Sequence, residues 1–113
     1  MTTEKSQEAK WISETPTETL EFAKWGKWTV RGLLAEEDFQ IQDRYMTVDA
    51  RTGKTSIDTT GMRIETIQAG VLESPHGAKP PTNVLRKIPA GMANRLLDAI
   101  KKLGTPGEVV EKN

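Results

Sequence analysis

Apolar and polar positions alternate with a period of two near the start of the chain and take helical spacing after it. In residues 19–33, TLEFAKWGKWTVRGL, Leu20 and Phe22 alternate with polar neighbours, and Trp28 and Val30 do the same. Alternation on both sides of a glycine predicts a β-hairpin, turning at Lys24-Trp25-Gly26-Lys27 with Gly26 supplying any positive φ. Over 34–48 the apolar steps suit a helix. Leu34, Ile41, Tyr45 and Val48 fall on one face, and Phe39 and Met46 make a second, narrower stripe. Glu36, Glu37 and Asp38 stand in its first turn, where the helix dipole favours acids. Residues 49–58, DARTGKTSID, break the pattern, with a turn signal at Thr52-Gly53-Lys54. A second helix is predicted over 59–73, capped by Asp58. Ile57, Ile64, Ile67 and Val71 form its main stripe, and Met62, Ala69 and Leu72 a second one. The stretch 74–83, SPHGAKPPTN, reads as a linker, and 83–88 as a helical turn. The last helix has the clearest pattern. Pro89 suits its first position, Met92, Leu96, Ala99, Ile100 and Leu103 form its stripe, and Gly104 and Pro106 end it.

These elements predict an α+β fold, mainly helical, with the N-terminal hairpin packed on about three helices. The stripes predict that Ile41, Tyr45, Ile64, Ile67, Leu96 and Ile100 are buried. The chain has 113 residues, enough for one domain with one modest core. Hydrophobic residues make up only 35 % and mean hydropathy is −0.56, so the folded part is expected to be smaller than the chain. The expected division is a disordered arm over 1–17, a single globular domain over 18–104 and a flexible tail over 105–113. The arm is polar and interrupted by Pro16, with Trp11 and Ile12 as its apolar exception.

Candidate chemistry is sparse. There is no cysteine, which excludes disulfides, zinc–thiolate sites and thiol nucleophiles. The one histidine, His76, sits two residues from Ser74 in the linker, which is not a positioned nucleophile–base pair. Gly53-Lys54-Thr55-Ser56 echoes a phosphate loop, but the motif requires glycine where Val48 stands. Asp49 to Gly53 lacks the further acids of a calcium loop. No catalytic, cofactor-binding or metal-binding residue is therefore expected. The acids Glu36, Glu37, Asp38, Asp43 and Asp49 read as a solvated helix face. Trp25 and Trp28, interleaved with Lys24, Lys27 and Arg31, suggest a base-stacking platform. Alternation with polar neighbours instead places Trp28 and Phe22 over a small core, with the lysines solvated. A polar N-terminus and apolar runs of only a few residues predict neither a signal peptide nor a membrane span.

Charge changes the picture through its placement. Lys plus Arg equals Asp plus Glu at 16 each, which argues against a nucleic-acid partner and leaves self-association easy. Yet 35–49 carries five acids and one base, while 79–102 carries six bases and one acid. Such runs pair either within one molecule or between copies in a homo-oligomer.

The order of elements resembles the tail assembly chaperones of long-tailed bacteriophages. The residues that carry the likeness are KWTVRGLLAEEDFQIQDRY, IETIQAGVLESP and NVLRKIPAGMANRLLDAIKKLG, spanning about 20–104. The motifs are placements of apolar residues and turns and hold no transferable catalytic residue. The resemblance implies an assembly factor, not an enzyme. It would bind the tape-measure protein, keep it soluble, support polymerisation of the tail tube protein, act in the bacterial host cytoplasm and be absent from the mature virion. A partner of that kind exposes apolar helix faces. Phe39, Met46, Met62, Leu72 and Met92 are the partner-binding candidates, with methionine suited to irregular partners. A structural tail or connector component is the alternative. A small helix-turn-helix regulator is the weaker one, because the element over 83–88 is about one turn long and Pro89 follows it directly.

Overall fold

The first hairpin forms where the alternation places it. In a computed structural model, which describes residues 16–105, β1 (Thr17–Phe22) pairs antiparallel with β2 (Gly26–Arg31). Leu20 lies opposite Trp28. Together with Val30 they are buried, while Thr19 and Thr29 share a hydroxyl hydrogen bond of 2.9 Å on the other face. One face is apolar and covered and the other is polar, as an antiparallel sheet with one solvated side requires. The turn, Phe22 to Trp25, lies two residues earlier than expected. The Trp25 N–H donates to the Phe22 carbonyl, and Gly26 already pairs with Phe22. Positive φ falls on Lys24 (72°) as well as on Gly26 (83°). Thr17 opens β1, so the expected arm stops short of it. Trp11, Ile12 and the tail beyond Thr105 lie outside the described residues.

Helix α1 (Ala35–Arg44) is shorter than expected. Residues 46–48, read as helix from sequence, form strand β3 (Met46–Val48), which pairs with β4 (Thr55–Ile57) in a second hairpin. The turn signal closes it. The Asp49 N–H donates to the Lys54 carbonyl at 2.8 Å, and Gly53 stands at φ 73°. The pairing takes Met46 and Val48 off the helical face, and Val48 is 63 % exposed. Helix α2 (Thr59–Gly70) begins as expected, with the Asp58 carboxylate accepting the Gly61 N–H at 3.0 Å. It ends early. Val71 turns extended, and β5 (Val71–Glu73) docks on β2, giving a three-stranded sheet of order β1-β2-β5. Gly70 lies against Ile100, where an added Cβ would stand 2.6 Å from Ile100 Cδ1. A one-turn helix α3 (Thr82–Leu85) and a long helix α4 (Ala90–Leu103) complete the chain. Pro89 is the residue just before α4, with extended backbone, and not its first helical position. Gly104 caps α4 at an ordinary φ of −83°.

The fold is thus mixed α+β. Helix α4 packs on β1 and β2 and on α2, and α1 packs on α2. One core joins Leu20, Trp28 and Val30 of the sheet to Ile67 of α2 and to Leu96 and Ile100 of α4. Ile41, Ile67, Leu96 and Ile100 are buried as predicted. Tyr45 and Ile64 are half-buried, Tyr45 lying against Gly61.

The two charge runs do not pair with each other through any ion pair among the described residues. Glu37 of α1 instead bridges Arg31 of β2 with two hydrogen bonds of 2.8 and 2.9 Å, and Arg44 bridges Glu65 of α2. The Leu34 N–H also donates to the Glu37 carboxylate at 2.9 Å, tying the start of α1 to the sheet. The hydrogen bonds from Arg31 hold the Glu37 carboxyl below its usual range against the opposing effect of burial, and the Leu34 N–H and the charges of Arg31 and Lys79 act in the same direction as the bonds. A carboxyl with a lowered folded pKa stabilises the fold above its unfolded value, near 4.5, and this contribution is lost as pH falls through the lowered folded value. Glu37→Gln is therefore expected to lower stability at pH 7 and to reduce the loss on acidification below about pH 4.5. Urea denaturation at pH 7 and pH 3 checks this, and parallel pH curves for the two proteins would contradict it.

Candidate partner-binding site

Three helices turn one face each toward a common groove of about 520 Å³. Helix α1 contributes Ala35, Asp38, Phe39 and Gln42. The α2 side contributes Thr59, Met62, Arg63 and Thr66. Helix α4 and its cap contribute Leu97, Ile100, Lys101 and Gly104. Each set has the spacing i, i+3, i+4, i+7, which is one continuous helical stripe. Phe39 is 60 % exposed on the α1 side and Met62 is half-buried, while Leu97 and Ile100, at 6 % and 1 % exposure, lie beneath the groove as part of the core. A groove walled by helices, lined by polar and apolar side chains alike and with a large aromatic at its edge, has the shape that receives an amphipathic helix.

The structure divides the five candidates. Phe39 and Met62 come together in the groove. Met46 does not join them. It lies on β3 opposite Ile57, where both side chains are partly exposed. Leu72 lies on β5, 38 % exposed and away from the groove. Met92 is a core residue at 5 % exposure and presents no surface to a partner. The stripes Phe39/Met46 and Met62/Leu72 assumed helices that continue, and in each case the second member stands in a strand beyond the helix end. Leu97, Arg63 and Lys101 are groove residues that the search for extra apolar stripes passed over. Their signal was the repeated spacing on three helices, which has meaning only once those helices face one another.

The other candidate chemistries are also placed. The Ser74 hydroxyl donates to the Gly77 carbonyl at 2.7 Å and accepts the His76 N–H at 3.0 Å, so it closes a turn and does not face an imidazole base. Trp28 is fully buried and donates its indole N–H to the Trp25 carbonyl at 2.9 Å, so the pair offers no stacking platform. Gly53-Lys54-Thr55-Ser56 runs from a hairpin turn into β4, not from a strand into a helix. Among the described residues no group of three or more histidine and carboxylate side chains is placed to hold a metal ion. No helix among them is long and apolar enough to cross a membrane. No protein-family model, no curated protein and no solved structure matches the chain.

Proposed function

We propose that this protein is a phage tail assembly chaperone that holds an apolar helical segment of the tape-measure protein in the groove between α1, α2 and α4. The observation that carries the reading is the groove itself, with Phe39 exposed at its edge and Met62 half-buried beside it. A large exposed aromatic beside a half-buried methionine offers an anchor that a partner can cover. Many copies bound along one long helical partner gain avidity from weak single contacts. Binding of this kind needs no catalytic group, and the protein would act in the host cytoplasm, support tube polymerisation and leave before the virion is complete. A structural tail component would use the same groove and remain in the particle.

Co-expression with the tape-measure protein of the same genome tests the proposal. The tape measure is expected to be insoluble alone, and soluble and co-purified with this chain. Phe39→Asp is expected to abolish co-purification while changing folding stability by no more than about 0.5 kcal/mol, because the side chain is mostly exposed. Retained co-purification by a folded Phe39→Asp protein would remove the groove from the account. Detection of this chain in purified particles would favour the structural component.

A further inference from the structure

We propose that the groove selects a helical segment whose apolar stripe is flanked by carboxylates; the inference rests on the groove being the partner site. The argument is charge complementarity. Arg63 and Lys101 occupy the same i+4 place in their stripes, one on α2 and one on α4, and both are exposed at the groove. Among the described residues neither makes an ion pair. Among the described residues the ion pairs that form are Arg31 with Glu37 and Arg44 with Glu65. Across the groove the one acid, Asp38, already accepts a hydrogen bond from Gln42 at 2.8 Å. The rim thus carries two bases against one acid, a net positive charge.

A helix that settles on Phe39 and Met62 excludes water beside Arg63 and Lys101. Carboxylates at the flanks of its apolar stripe compensate the desolvation of those two charges. Lysines at the same places add repulsion to the desolvation cost. The bases therefore act as a selection device, while Phe39 and Met62 supply contact area. Arg and Lys also lay their aliphatic stems along apolar surface, so they extend the wall without closing it.

Two synthetic amphipathic helices test this. They share one apolar stripe and differ only in Glu or Lys at the flanking positions. Fluorescence anisotropy of each is measured against the full 113-residue chain at low salt and near 1 M salt. The Glu peptide is expected to bind about tenfold tighter at low salt, and the preference is expected to shrink as screening shortens to roughly 3 Å near 1 M. The double variant R63E/K101E, checked for folding by circular dichroism, is expected to reverse the preference. Equal affinity of the two peptides for the unmodified chain at low salt overturns the inference and leaves the groove as a binding site. Failure of both peptides to bind overturns it together with the groove reading. Self-association that Phe39→Asp abolishes and neither peptide competes with would make a second copy the occupant, and overturns it too.

Discussion

Trp28→Ala is expected to lower folding stability by about 3 to 5 kcal/mol, out of a total of about 5 to 15 kcal/mol for a domain of this kind. Trp28 is fully buried, the largest such side chain among the described residues. It stands on β2 where the sheet meets α4, in the cluster that also holds Leu20, Val30 and Leu96. Truncation leaves a cavity that strands and helix cannot both close, because β2 is held by β1 on one side and β5 on the other. Trp28→Phe keeps most of the ring but removes the indole N–H that serves the Trp25 carbonyl. Its expected cost is smaller, about 1 to 3 kcal/mol. Urea denaturation of both variants gives the comparison. A loss below about 1 kcal/mol for Trp28→Ala would mean that the residue does not stand in the core.

Gly32→Ala is expected to cost about 3 kcal/mol or more, although it adds a single methyl group. Gly32 links β2 to α1 and is buried. A Cβ there would collide with the backbone of Gly104 and with the carbonyl carbon of Leu103, where α4 ends. Backbone atoms cannot rotate aside as a side-chain tip can, so the corner must separate from α4. Gly104, Leu33 and Ala35 also line the groove, so the separation would deform the candidate site. The expected drop in melting temperature is roughly 12 to 24 °C for a domain of this length. Thermal unfolding followed by circular dichroism reads it. Gly91→Ala is the control, since a Cβ there meets nothing within 4 Å, and it is expected to leave the melting temperature nearly unchanged or raise it slightly. Equal melting temperatures for Gly32→Ala and the unmodified protein would show that the corner does not pack against α4 so closely.

The two halves of the candidate site differed in how far they could be read in advance. Phe39 and Met62 are legible because each begins a second apolar stripe on a predicted helix. Met46 and Leu72 looked equivalent on a helical wheel. They were misplaced because a spacing of seven or ten residues means a shared face only if the helix continues. Met46-Thr47-Val48 and Val71-Leu72-Glu73 are three-residue segments. Over three residues a period of two and a period of 3.6 are not distinguishable, and Thr47, Val48 and Val71 are β-branched residues that suit a strand. What made them strands was a partner. Met46–Val48 found Thr55–Ile57 across the Asp49–Lys54 turn, and Val71 found Val30, about 40 residues away in sequence.

The sequence by itself determined the elements whose signals are local. Alternation around Gly26 specified the first hairpin, Asp58 the start of α2, and the Met92–Leu103 stripe with Gly104 the extent of α4. These depend on neighbours a few residues apart, through pleat, cap and turn, and are legible one segment at a time. Only the tertiary structure decided where α1 and α2 stop, that β5 completes the sheet, that Glu37 of α1 turns to Arg31 rather than to the basic C-terminal run, and that Met92 is core. It also decided the groove. Three stripes of identical spacing become one surface only when α1, α2 and α4 are brought face to face, and that juxtaposition follows from packing between distant segments, which no local pattern encodes.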